Sequence, residues 1–364
     1  MKLARSILLI PGPLTTSSKI KKALTFDYSA REPHFITIIK SVREKILKVS
    51  HTNPNTFTTI LLQGSGTYGN ESILSSLPDT SKVSVFSNGL YGDRLRDICI
   101  RHNNLTKFNK LGYEDQITPS YIEESIKNCD STHVALVHNE TTSGILNPID
   151  EIVPIIKKYK KKVIIDAISS YGGVPIDINN LNIDYLTGSS NKCLHGHPGL
   201  SFVIANKETL EECNDQSNTL SLDLYSQYKD FNKKEQFRFT PPVQIVHSLH
   251  EALDELLESS IDGRYAHYYK LNQIIYNELT EFGFTPYLDR KINSPIVSTY
   301  YIPEYIKNFD FEILSQNLKK NNIVLYPSPI DNPRLIRIGN IGDITVDDLY
   351  KCLNKIKLEM LEFN

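Results

Sequence analysis

The sequence predicts an α/β protein: a large domain on a mostly parallel sheet, then a smaller α+β domain at the C-terminus. Three observations carry this. Short apolar runs alternate with longer stretches of helical spacing over most of the chain, the signature of βαβ units. Past residue 262 the order changes to strand, helix, strand, strand, helix. The chain has 364 residues, 40% hydrophobic and 23% charged, enough for about two domains of ~150 residues with cores of their own.

The elements follow in order. The run Met1 to Ile10 stops at Pro11-Gly12-Pro13, too soon for a secretory signal. Thr58–Gln63 reads as a buried strand, and a helix begins near Thr67. Lys82–Phe86 is a strand and Tyr91–His102 a helix. Thr132–Val137 is a strand, Ile149–Tyr159 a helix opened by Pro148, and Lys162–Ile165 a strand ending at Asp166. Asp184–Thr187 and Leu200–Ile204 are two more strands. In Gln244–Leu257, the residues Ile245, Leu249, Leu253, Leu256 and Leu257 share one helical face. Arg264–Glu281 is a helix stopped by Gly283. Then come strand Ile296–Tyr301, helix Phe311–Lys320, strands Ile323–Tyr326 and Leu335–Ile338, and helix Val346–Met360. The predicted domains are 1–262 and 263–364.

Lys plus Arg is 40 and Asp plus Glu 42, a net charge of −2, so no nucleic-acid or membrane surface is expected. No stretch reaches the ~18 apolar residues of a membrane helix. Five cysteines stand at 99, 129, 193, 213 and 352 with no C-x-x-C pair, which suits reduced thiols in the cytoplasm rather than a disulfide framework or a zinc site.

Three features carry chemistry. Gly64-Ser-Gly66-Thr-Tyr-Gly69 follows a strand and opens a helix, matching the dinucleotide fingerprint. The next strand ends in Phe86-Ser87-Asn88-Gly89, without the acid that would hold a ribose, so a dehydrogenase is disfavoured. A single phosphate on the helix N-terminus, with the Ser65 and Thr67 hydroxyls, fits better. Asp166 ends an apolar strand, where α/β sheets bind ligands. Lys192 lies among small polar residues in Thr187-Gly-Ser-Ser-Asn-Lys192-Cys-Leu-His-Gly-His-Pro-Gly199. Taken singly, Asp166 reads as an N-cap and Lys192 as a loop lysine. Together they supply the phosphate cradle, ring-nitrogen counter-ion and aldehyde-binding amine that pyridoxal phosphate needs. His195 and His197 lack partners at metal-ligand spacing, so no metal is expected.

These motifs, in this order, resemble the class-V, fold-type-I aminotransferases. The resemblance runs from Leu8 to about Gly342. It is carried by Leu9–Thr16, Leu62–Thr67, Asn88–Arg94, His138–Pro148, Ile165–Ser170, Ser190–Cys193, Arg238–Pro242 and Arg337–Gly342. It implies a seven-stranded large-domain sheet, pyridoxal 5′-phosphate as cofactor and a homodimer. By the same resemblance, Lys192 binds the cofactor aldehyde and Asp166 pairs with the pyridine N–H. Ser65, Gly66, Thr67 and Asn191 hold the phosphate, and Tyr91 stacks on the ring. Thr142 bonds the ring hydroxyl or reaches the Asp. Thr240 reaches the neighbouring subunit's phosphate, and Arg337 clamps a substrate anion. The Pro11-Gly12-Pro13 turn of the N-terminal segment lies over the substrate and contacts the small domain. Read alone, Tyr91 could be core packing, Thr240 a loop end and Arg337 a surface ion pair.

The stretch Ala30–Phe35, with Arg31, and the pair His195 and His197 look more like transaminases of phosphonate biosynthesis than like degradative ones. Arg31 would add a cation for a substrate anion. The implied reaction moves an amino group between a phosphonate-bearing amine and pyruvate. The rivals are an alanine- or serine-type transaminase using glyoxylate or pyruvate, and a cysteine desulfurase-like lyase. The lyase is disfavoured because no Cys occurs between 300 and 345.

Overall fold

The computed structural model describes residues 5–363, so the first four residues of the N-terminal apolar run lie outside it. Seven strands form the main sheet, in the order Phe57–Gln63, Leu200–Asn206, Tyr185–Ser189, Lys162–Asp166, His133–Val137, Val83–Ser87 and Leu105–Lys110. Only Leu200–Asn206 runs antiparallel to its neighbours. The inner strands are buried on both faces; Val134, Leu136, Val163 and Ile165 have no exposed area. That is why they read as unbroken apolar runs. The strand Leu105–Lys110 escapes such a reading. It pairs only with Val83–Ser87, so as an edge it is free to carry Thr106, Lys107 and Lys110.

Three helices of eight residues or more also lie outside the sequence expectation. Pro33–Val49 buries Phe35, Ile38, Ile39, Val42, Ile46 and Leu47 and packs on Val243–Ser259. Pro119–Ile126 is capped by the Thr118 hydroxyl, and Leu224–Lys234 by the Asp223 carboxylate. Their apolar residues fall at helical spacing in stretches rich in Lys, Tyr and Glu, which masks the stripe.

Helices Val243–Ser259 and Ile261–Phe282 meet at Ser260 alone, which takes φ 61°. The second helix sends Leu271, Ile275 and Leu279 into a separate apolar core. That core lies against a small antiparallel sheet ordered Thr285–Pro286, Val297–Tyr301, Leu335–Gly339 and Tyr326–Pro327. The single strand expected at Ile323–Tyr326 is two pieces with different partners. Tyr326–Pro327 joins the small sheet, while Ile323–Val324 pairs in parallel with Ile7–Leu8 near the N-terminus.

The N-terminal segment is therefore a strap across the small sheet. Gly339 N–H donates to the Leu9 carbonyl (3.1 Å) and Asp343 N–H to the Thr15 carbonyl (2.8 Å). A side chain at Gly339 would meet the Ile10 backbone at 2.5 Å, so only glycine lets the strap lie this close. The strap ends over Lys192.

Candidate active site

Five loops leave the main sheet at its carboxyl edge, where open α/β sheets gather ligand-binding groups. The loop after Gln63 leads to the helix Gly66–Ser76, and the loop after Ser87 to the helix Leu90–Arg101. The loop after Val137 forms a short hairpin, with Asn139–Glu140 paired to Ile145–Leu146. Asp166 ends its own strand, and Lys192 follows Ser189 by three residues.

Lys192 is half-buried, and its Nζ donates to the Pro11 carbonyl at 2.6 Å. Gly12 sits beside it at φ 122°, and a Cβ there would lie 2.6 Å from Nζ. Burial pushes the Lys192 ammonium down to about 8; the charges of Arg337 and Arg94 push the same way, and that of Asp166 opposes them. Asp166 is 4% exposed. Its Oδ2 accepts from Asn70 Nδ2 (2.6 Å) and its Oδ1 from Ile168 N–H (2.9 Å). Burial raises its pKa, against those two bonds and the charges of Arg94 and Lys192. Sequence reasoning missed Asn70. The available signal was an amide side chain on the buried face of a helix, among Gly69, Ser72 and Ile73.

Ser65 caps the helix Gly66–Ser76 without a side-chain bond, and among the described residues no group accepts from the Gly66 or Thr67 amides. Thr67 Oγ1 accepts from Arg94 Nη1 at 3.1 Å. The Arg94 guanidinium also stands 5.0 Å from the centre of the Tyr91 ring, so this second unanticipated residue links the helix start to the aromatic. Asn191 Oδ1 accepts from Ser189 Oγ (2.7 Å).

Thr142 does not bond Asp166 among the described residues. Its hydroxyl donates to Glu140 Oε1 (2.6 Å) and accepts from Leu90 N–H (2.9 Å), away from Asp166. The short side chain is held by its own hairpin. Arg337, on the strand Leu335–Gly339, is 7% exposed. Its Nη1 donates to the Thr141 carbonyl at 2.6 Å, while its Nε is buried without a partner. A buried guanidinium with a spare N–H is not a surface ion pair.

The remaining residues stand apart. Arg31 is exposed ahead of the helix Pro33–Val49, and among the described residues its only hydrogen bond is from its backbone N–H to Ser29 Oγ. Thr240 is exposed beside Phe239, and its carbonyl accepts from Gln63 Nε2. His195 is buried with Nε2 accepting from Gly342 N–H (3.1 Å) and the Tyr268 hydroxyl, and burial holds its pKa well below the usual range. His197 Nδ1 bonds Ser248 Oγ (2.7 Å). Both histidines brace the Lys192 loop.

The donor set is coherent for a phosphorylated pyridine aldehyde: a partly neutral amine, a buried carboxylate fixed by two donors, and two amides without an acceptor at a helix N-terminus. The family model for class-V aminotransferases matches residues 23–325. The chain is 37% identical to the 2-aminoethylphosphonate–pyruvate transaminase of Phocaeicola vulgatus, over 96% of this chain and 98% of that protein. It is also 37% identical to the protein of the same name from Bacillus cereus, over 96% of each. Among solved structures, it superposes on alanine–glyoxylate aminotransferase from Nostoc sp. with a TM-score of 0.90, at 19% identity and 99% and 96% coverage. For pyridoxamine–pyruvate aminotransferase from Mesorhizobium loti the TM-score is 0.87, at 21% identity and 99% and 94% coverage.

Proposed function

The chain belongs to the class-V aminotransferases, and from that premise we propose that it moves the amino group of 2-aminoethylphosphonate to pyruvate, giving phosphonoacetaldehyde and L-alanine, in either direction. Its fold is the type I fold of pyridoxal-phosphate-dependent transferases. The observation that carries the reading is the meeting of Lys192, Asp166 and the open helix start at one sheet edge, faced by buried Arg337 from the small sheet.

Pyridoxal 5′-phosphate, when bound, supplies the aldehyde that takes up amino groups and a ring that delocalises the electron pair left by proton removal. Ser65, Gly66, Thr67 and Asn191 would hold its phosphate, Tyr91 its ring face and Asp166 its ring N–H. Lys192 Nζ, with a pKa of about 8, can take a proton from the substrate carbon bearing nitrogen and return it near neutral pH. Arg337 Nε and its free Nη positions grip the phosphonate of the amine, then the carboxylate of pyruvate, by paired N–H donors. Pro11 and Gly12 cover Lys192 and limit water.

Arg31 and Thr240, both exposed, fit a homodimer in which each completes its partner's site, Thr240 at the phosphate. Residues 1–262 and 263–364 are assigned as the two domains, supported by the two largest apolar cores, the second of which also takes in Ile7 and Leu9. Among the described residues no helix is long and apolar enough to cross a membrane; with five free cysteines, a cytoplasmic enzyme acting on small molecules, without nucleic acid or membrane, is the reading.

The test is alanine formation from pyruvate with a panel of amines. 2-Aminoethylphosphonate should be the best donor by kcat/KM. Serine as the best donor, or glyoxylate as the best acceptor with alanine, would replace the proposed substrate pair by the alanine- or serine-type alternative.

A further inference from the structure

We propose that Glu140 is a positioning residue that fixes the distance between the ring-stacking aromatic, Tyr91, and the substrate-anion arginine, Arg337. The inference rests on the reading of those two residues given above. Glu140 has no exposed area, yet both of its oxygens are fully engaged. Oε2 accepts from Tyr91 N–H and Gly92 N–H, each at 3.2 Å. Oε1 accepts from Thr142 N–H at 3.0 Å and from the Thr142 hydroxyl at 2.6 Å.

Two of these donors are the free amides of a helix first turn, which normally take a capping side chain from the residue just before the helix. Here that residue is Gly89 and offers none. The cap comes instead from a hairpin some 50 residues later: the Thr142 hydroxyl takes Leu90 N–H, and Glu140 takes Tyr91 and Gly92. Gly89 is required by this arrangement, because a Cβ there would sit 2.2 Å from the Glu140 carboxyl carbon.

The same three-residue turn holds the other wall. The Thr141 carbonyl, between the two capping residues, accepts from Arg337 Nη1. The negative charge of Glu140 also favours the ionised form of Arg337 against its burial. One carboxylate thus ties the helix that carries Tyr91 to the turn that anchors Arg337. Burial pushes the Glu140 acid up to about 7, with Asp166 pushing the same way and the Thr142 hydroxyl, Thr142 N–H and Gly92 N–H opposing. The three backbone N–H donors serve only an acceptor, so the ionised form is the one that assembles the site.

Glu140→Gln tests this. Either way round, the amide turns its NH₂ toward two N–H or O–H donors. Loss of hydrogen bonds to a charged group predicts a fall of roughly 10- to 150-fold in kcat/KM for pyruvate, mainly through KM. Pyridoxal phosphate titrated into the apoprotein and followed by absorbance should bind about tenfold more weakly or worse. Glu140→Asp keeps the charge but withdraws it by one methylene, and should restore KM more than cofactor affinity. A merely structural acid would lower the melting temperature of both variants and leave cofactor affinity and KM at wild-type values, which overturns the proposal. If Glu140→Gln does not fold, Glu140→Asp with wild-type values in both assays overturns it alone. The cofactor titration does not depend on the amine, so a wild-type enzyme inactive with 2-aminoethylphosphonate sinks the substrate assignment and leaves this test standing.

Discussion

On the wall built by the large sheet, the bonds stay within one body: Asp166 accepts from Asn70 and Ile168, Thr67 from Arg94, and Glu140 from the Tyr91 amide and the Thr142 hydroxyl. On the wall built by the small sheet and the strap, the bonds run across. Arg337 reaches the Thr141 carbonyl, and the Pro11 carbonyl receives Lys192. The first wall is complete when one core has folded. The second exists only when two cores are docked. The wall proposed for the cofactor is therefore preorganised, whereas the wall proposed for the substrate is sensitive to anything that shifts the small sheet.

Four experiments break or sharpen that contrast. The largest effect belongs to the residue that both walls touch. Lys192→Ala should abolish turnover and the borohydride-reducible adduct with pyridoxal phosphate; an adduct at wild-type level would show that another amine does the work. Next is the substrate wall. Arg337→Lys keeps the charge and loses the fork, which should cost about 2–5 kcal/mol, or roughly 30- to 5,000-fold in kcat/KM for both half-reactions, with the cofactor spectrum unchanged. A fall in only one half-reaction would mean two anion sites, with Arg31 as the first candidate for the other. On the cofactor wall, Asn70→Ala removes one of two donors to Asp166 and should weaken cofactor binding about 10- to 100-fold with KM for pyruvate unaltered. A change in KM alone would erase the distinction between the walls.

The smallest effect is in pH. The Lys192 pKa is lowered to about 8, and only the neutral amine attacks an aldehyde. Stopped-flow loading of the apoprotein should quicken about fivefold from pH 7 to pH 8 and level off above that. A loading rate flat across that range would remove Lys192 as the titrating amine.

What the sequence could reveal follows the same division. The inner strands were legible because burial on both faces forces continuous apolar runs, and Asp166 and Lys192 because they break the local pattern at strand ends. The edge strand Leu105–Lys110 was not, since half its surface meets water. Asn70, Arg94 and Glu140 were not assigned because their roles depend on partners 27 to 96 positions away, and spacing rules see only the next few turns. Thr142 shows the same limit from the other side: its place in the motif was visible, its hydroxyl's partner was not.

The pairing of Ile7–Leu8 with Ile323–Val324 also orders events at the ribosome. The strap is made well before its partner strand, which follows it by more than 300 residues. While the chain grows, the carboxyl edge of the large sheet can form with Asp166 and Lys192 in place, but the Ile7–Leu8 end of the strap has no strand to pair with. A chain halted before residue 323 would thus lack the strand pairing that fastens one end of the cover on Lys192. Closure over Lys192 reports that synthesis has passed the small sheet, because the strap cannot dock on strands that do not yet exist.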